Sequence, residues 1–182
     1  MVFSSPIFLF AFLPVFLLVY YLTPFRGRSY IILGASYLFY AWWRPDYLLL
    51  FVALTSWNYF LGMQIAHKSQ ATARRWLQLG VVSNVATLCY FKYTNFGITN
   101  LNVILESMGS KPMPLAEIIL PIGISFYLFH CISYLVDIYR KDAQPVRRFA
   151  DFAAFIALFP QLVAGPILRY KDLDPQFHAR EH

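Results

Sequence analysis

Leu120–Arg140 reads LPIGISFYLFHCISYLVDIYR, and this stretch decides what kind of chain it sits in. It is long and apolar enough to cross a bilayer. Yet it opens on Pro121 and Gly123 and carries Ser125, His130, Ser133 and Asp137. Polar groups at membrane depth are costly and need a compensating role.

Working outward, similar apolar runs recur along the 182 residues. The chain is 59% hydrophobic and 13% charged, with a mean hydropathy of +0.52. A soluble domain carries about a quarter charged residues. The expected class is therefore an all-α, polytopic membrane protein, a single membrane domain over 1–182. About five transmembrane helices are expected, with one half-membrane or re-entrant helix and one interfacial amphipathic helix.

The first run covers about Ile7–Leu22, with Ser5 as N-cap, Pro6 at the first helical position and a kink expected at Pro14. No basic residue precedes it and no small-residue cleavage site follows, so it reads as a retained helix rather than a signal peptide. The second run, Tyr30–Trp43, has Ser29 as its cap. Arg44-Pro45-Asp46 makes a tight turn, and Asp46 is expected to cap the third run, Tyr47–Ile65. A polar loop, His67–Arg75, leads to the fourth, Trp76–Tyr93, near whose end Lys92 can snorkel to the interface.

Thr94–Met108 differs in kind. Leu101, Ile104, Leu105 and Met108 share a helical face, with Asn95, Asn100, Asn102 and Glu106 interspersed and Gly109 as a stop. This reads as the interfacial helix, lying on the membrane. A solvent-exposed loop helix is the plainer alternative. After the fifth run comes Phe149–Leu168, where Pro160, Gly165 and Pro166 follow one another closely. A helix ending near Pro160 is about 16 Å long, half a hydrocarbon core. It is expected to be half-membrane or re-entrant and buried within protein.

Basic clusters orient the bundle. Loops with Arg26 and Arg28, with Lys68, Arg74 and Arg75, and with Arg140, Lys141, Arg147 and Arg148 alternate with loops holding only Arg44, Lys92 and Lys111. The N-terminus is thus expected outside the cytoplasm. The net charge of +6 is spread over these loops and predicts no nucleic-acid groove.

Chemistry is sparse. His130, Ser133, Tyr134 and Asp137 share one face, but His130 and Asp137 are about 10 Å apart along the axis. Asp137 reads either as a helix-end carboxylate beside Arg140 or as a relay group. His130 reads either as a neutral imidazole bonded to a neighbouring helix or as a catalytic group. Ser125 and Ser133 suit close helix approach. Cys89 and Cys131 read as small apolar fillers, and no metal-ligand spacing is present.

Two stretches together resemble signatures of the membrane-bound O-acyltransferases: Leu120–Arg140 and ALFPQLVAGPILRY, residues 157–170. The likeness is greatest to the bacterial branch that O-acetylates exopolysaccharides such as alginate. FSSPIFLFAFLPVFLLVYYL (3–22), YLFYAWWRPDYLLL (37–50) and LCYFKYTNF (88–96) also resemble that branch, in the same order. The resemblance implies passage of an acetyl group across the bacterial inner membrane. The donor would be cytoplasmic, acetyl-CoA or a product of it, with no resident cofactor. The acceptors would be reached through periplasmic acetyltransferase partners.

It also implies a catalytic histidine later in the family's sequence, beyond residue 182. His130 stands where the family more often has Gln. The motif residues Pro121, Gly123, Ser125, Asp137, Pro160, Gln161, Gly165 and Pro166 are then expected to wall an acyl-transfer tunnel. Three other readings stay open: a transporter or lipid-handling membrane protein without transfer chemistry, the related branch that moves D-alanine onto teichoic acid, and a non-catalytic structural subunit.

Overall fold

A computed structural model describes residues 5–114 and 118–158. Within them the chain is helical and holds no strand. The helices are α1 (Leu13–Leu22), α2 (Arg28–Trp43), α3 (Pro45–His67), α4 (Gln70–Ser107), α5 (Ile124–Arg140) and α6 (Phe149–Ile156). A π-helical stretch, Phe8–Phe12, precedes α1, and a single 3-10 turn, Phe25–Gly27, precedes α2.

The entry to α1 follows from its sequence. Ser5 Oγ accepts the Phe8 N–H at 3.2 Å, an N-cap with Pro6 behind it. Pro14 has no N–H for the Phe10 carbonyl, and its ring would crowd that oxygen. The turn ahead of it widens: the Leu13 N–H reaches back to Phe8, five residues away. The expected kink is thus a π-bulge.

Two expected caps sit elsewhere. Helix α2 already begins at Arg28, so Ser29 lies buried in its first turn rather than at its cap. Helix α3 starts at Pro45, because proline's fixed φ suits the first helical position. That leaves Arg44 as the only residue between α2 and α3, and Asp46 in the first turn, 3.4 Å from the Arg44 guanidinium.

Helices α3, α4 and α5 pack as a three-helix unit. Tyr47 meets Phe91, and Phe60 meets Trp76, so α3 and α4 run antiparallel. Tyr127 packs on Phe51, and Tyr134 crosses α3 at Gly62, so α5 runs parallel to α3. A Cβ on Gly62 would lie 2.4 Å from the Tyr134 ring, and one on Gly80 would lie 2.5 Å from Leu135 Cδ1. Small residues let these backbones approach. Helix α3 is the one described helix long and apolar enough to cross a membrane by length and composition; the run 8–22 is apolar but shorter.

Helix α4 corrects an expectation. Its 38 residues form one continuous helix of about 57 Å, with no break between Tyr93 and Thr94. The region expected as a separate interfacial helix is the last part of α4. It ends as expected at Gly109, whose φ of 74° permits the left-handed turn. There the Ser110 and Gly109 N–H groups bond Leu105 and Glu106 carbonyls.

Helix α6 is eight residues, about 12 Å. Phe152, Ala153, Ala154, Phe155 and Ile156 are all buried. Five consecutive residues sweep more than a full helical turn, so α6 is enclosed on all sides from Phe152 on, while Phe149 in its first turn is exposed. It stops four residues ahead of Pro160, which has no N–H for the Ile156 carbonyl.

Candidate functional site

Helix α5 carries the residues singled out from the sequence, and its start is built by a turn. Pro121 is buried, its carbonyl accepts the Ile124 N–H at 3.2 Å, and Gly123 sits at φ 76°. An L side chain strains at that φ, so glycine is needed there. Pro121 and Gly123 thus lie ahead of α5. They set where it begins rather than opening a helix already under way, and α5 is shortened to 17 residues, about 26 Å.

The buried face of α5 includes Tyr127, His130, Tyr134 and Asp137. His130 is 1% exposed, and its ring stands edge-on to Phe155 of α6, 6.0 Å between centroids. Tyr134 packs on Phe152 at 4.6 Å. Asp137 is buried at the other end of the helix, while Arg140 reaches Asp142 at 3.8 Å. Ser125 and Ser133 are half-buried. Ser125 and Asp137 stand about 18 Å apart along the axis. The structure therefore places Ser125, His130 and Asp137 on one element without bringing them to one point. Pro160, Gln161, Gly165 and Pro166 lie outside the described residues. Among the described residues no group of three His, Cys, Asp or Glu side chains is placed to hold a metal ion.

Each end of α5 adjoins a cleft. One, of about 290 Å³, runs beside the turn and is lined by residues 120–126. The other, of about 320 Å³, lies between Met63 and His67 of α3 and Gln144, Pro145 and Arg147 of the α5–α6 loop. Tyr59 Oη donates to the Arg147 carbonyl at 3.0 Å and ties that loop to α3. His67 Nδ1 donates to the Met63 carbonyl at 2.8 Å, which turns Nε2 away from that carbonyl. The first cleft is largely apolar; the second has one arginine, Arg147, in a mixed lining.

Sequence reasoning missed two buried polar pairs. Tyr127 Oη and Thr55 Oγ1 meet each other beside the Phe51 carbonyl, 2.8 and 2.7 Å away, so one hydroxyl donates to that carbonyl and the other donates either to it or to its neighbour. Asn58 and Asn84 face each other as a two-bond amide pair, 2.7 and 3.1 Å. Their remaining amide hydrogens go to Leu54 and Gly80 carbonyls. Both asparagines are polar residues inside apolar runs, the signal already used for α5.

Comparison with known proteins decides the kinship. The chain is 54% identical over its whole length to a probable alginate O-acetylase, AlgI, of Pseudomonas putida. It is 55% identical, again over its whole length, to the Pseudomonas aeruginosa protein of the same name. By sequence, this chain is kin to the alginate O-acetylases, a group of membrane-bound O-acyltransferases. A peptidoglycan O-acetyltransferase of Helicobacter pylori is 37% identical over 97% of the chain. The chain spans 38%, 35% and 38% of the length of these three relatives. No family-level profile matches it, nor does any solved structure.

Proposed function

We propose that the protein carrying this chain is a polytopic inner-membrane O-acyltransferase that O-acetylates an envelope polysaccharide of the alginate type. The carrying observation is whole-chain identity of 54–55% to probable alginate O-acetylases. The mechanism is transfer of an acetyl group between the two faces of the membrane. The donor is acetyl-CoA or its product, at the cytoplasmic face, and the positive-inside pattern supports that face for the cleft of His67 and Arg147. A phosphate-bearing donor suits the Arg147 guanidinium there. The apolar cleft at residues 120–126 lies on the opposite, periplasmic face, on the same side as the N-terminus. Periplasmic acetyltransferase partners then carry the group to the sugar hydroxyl.

In this reading Pro121, Gly123 and Ser125 shape one mouth of the path and Asp137 the other. The catalytic histidine is supplied by the remainder of the enzyme. Helix α6 is the half-membrane element: a helix of about 12 Å whose last five residues are buried suits a segment that enters protein without crossing. Pro160, Gln161, Gly165 and Pro166 continue the tunnel wall.

The test is deletion of the gene and complementation with the intact protein, reading ester-linked acetate in the exopolysaccharide. Loss on deletion and return on complementation is expected. Unchanged acetate on deletion overturns the proposal. The 37% identity to a peptidoglycan enzyme supports a second reading, in which the acceptor is the cell-wall glycan. Acetate lost from peptidoglycan, with exopolysaccharide unchanged, selects it. Within either reading, Gly165→Leu is expected to abolish acetylation at normal protein level; normal acetylation removes the tunnel role.

A further inference from the structure

The last part of α4 and the segment that returns from it form an arm. The returning segment, residues 109–114 and 118–120, is a strap that runs back along α4 toward α5. Asn102 accepts from the Met113 N–H at 2.8 Å and donates to the Met113 carbonyl at 3.0 Å. Asn95 does the same to Ile118, at 3.0 and 2.7 Å. Tyr47 Oη, from α3, donates to the Ile119 carbonyl at 2.7 Å.

The Asn95 and Tyr47 holds come together at one place. Phe91 and Asn95 are four positions apart on α4 and so share a face. The Tyr47 ring stands edge-on to Phe91, 6.1 Å between centroids. The Tyr47 hydroxyl and the Asn95 amide thus take consecutive residues of the strap. The two Asn95 bonds go to the N–H and the carbonyl of one residue. Paired bonds of this kind fix the direction of the backbone as well as its position.

Ile118 and Ile119 lead straight into the cleft lined by residues 120–126. Few backbone freedoms remain there. Pro121 has a fixed φ, and its carbonyl accepts the Ile124 N–H. The Gly123 carbonyl accepts the Tyr127 N–H at 2.9 Å, and Tyr127 is fully buried against Phe51 of α3. The turn is therefore fastened at both ends, to Asn95 and Tyr47 before it and to the start of α5 after it. Between these holds Leu120 and Ile122 flank the buried Pro121 and are exposed, as the lip of the cleft.

We infer that Asn95 and Tyr47 are positioning residues for this cleft: they hold its lip at the aperture the transfer path needs, without touching what passes. This rests on the proposed function, in which Pro121, Gly123 and Ser125 shape one mouth of that path. A working site needs such a supporting shell, locked by hydrogen bonds. Asn102 grips the strap at Met113, five positions before Ile118, and serves the arm rather than the mouth.

The test uses the intact protein. Tyr47→Phe removes one oxygen and keeps the ring on Phe91; Asn95→Ala removes both bonds to Ile118; Asn102→Ala is the comparison. Three quantities are read: ester-linked acetate in the polysaccharide per unit of protein, melting temperature in detergent, and the rate of maleimide labelling at residue 122 in an Ile122→Cys background, followed on its peptide by mass spectrometry. Tyr47→Phe and Asn95→Ala are expected to lower acetate several-fold and to speed labelling several-fold, with melting nearly unchanged. Asn102→Ala is expected to leave acetate and labelling near the parent values. Normal acetate with faster labelling overturns the role in transfer, and so does an acetate loss that merely follows a fall in melting temperature. Equal effects from Asn102→Ala overturn the assignment to Asn95 and Tyr47. Labelling needs no activity, so faster labelling in a protein whose deletion leaves acetate unchanged overturns the proposed function while the hold on the turn stands.

Discussion

The two halves of α4 use the same residue type on the same face for different ends. In the first half Asn84 faces another helix and pairs with Asn58. In the second half Asn95 and Asn102, eleven and eighteen positions on, face an extended strap. All three fall within about 20° around the helix. The first half is built from helix against helix, with backbones brought close at Gly62 and Gly80. The second meets α3 at Phe91 and Tyr47, and farther along it packs on the strap, residues 109–114 and 118–120, which the side-chain amides hold. The difference teaches that a polar residue in an apolar helix marks an inward face without saying what lies there.

The strongest way to break this contrast is to disturb close packing in the first region. Gly62→Leu should be the most damaging single change. Its Cβ alone would lie 2.4 Å from the Tyr134 ring, and that ring is fully buried. Overpacking costs about 1–3 kcal/mol and more where nothing can move. The expected outcome is loss of folded protein in detergent extracts. Gly62→Leu with Tyr134→Ala should recover part of it. Normal yield and melting temperature for Gly62→Leu would mean that α3 and α5 do not meet there.

Next comes the amide pair. Asn84→Ala leaves the buried Asn58 amide without its partner, at a cost of about 1–2 kcal/mol. Asn58→Leu with Asn84→Leu should cost less than Asn84→Ala, since nothing polar is then left unpaired. Thermal unfolding of the intact protein reads both. A double variant less stable than Asn84→Ala would show that the amides are worth more than their mutual satisfaction.

Helix punctuation was the most legible part of the chain. Ser5 with Pro6, the break between α2 and α3 beside Pro45, Gly109 and the shortness of α6 all follow from local stereochemistry, although the break is Arg44 alone and Asp46 does not cap α3. That information is carried by the residue itself. The continuity of α4 was hidden because Asn95, Asn100 and Asn102 look solvent-facing in a one-dimensional pattern. Their partners are backbone groups, two of them 11 and 23 positions away, and backbone has no sequence signature. Asn58 and Asn84 were hidden for a related reason: each alone is one polar residue in an apolar run, and only the helix register pairs them. In the candidate site, the need for Pro121 and Gly123 was readable, but their place ahead of α5 was set by the strap that delivers them. Ser125, His130 and Asp137 shared a helix in both views, and the axial distances already denied them a common centre.

A smaller effect is expected in the arm. Asn102→Ala removes both clasps on Met113, yet the strap touches no buried core there, so global melting should move by about 1 kcal/mol or less. The sensitive reading is local opening. Amide exchange at Met113 and proteolytic cutting within residues 110–114 should rise several-fold, with α3 and α5 unaffected. Faster exchange through α5 as well would show that the clasp supports the bundle and that the two regions are one unit.

The smallest effect should be Gly109→Ala, and it separates geometry from packing. Nothing lies within 4 Å of where a Cβ would stand, so no clash contributes. The whole cost is the left-handed backbone at φ 74°, about 1 kcal/mol for a residue with a Cβ. Helix α4 can relieve it by fraying its last turn and giving up the bonds from Gly109 and Ser110 to Glu106 and Leu105. The loss therefore stays at the tip. Exchange should rise at residues 108–110 while Asn102 still holds Met113. If Gly109→Ala instead releases the strap as fully as Asn102→Ala does, the turn and not the asparagine sets the strap's path. The second half of α4 would then be organised by its end rather than by its face.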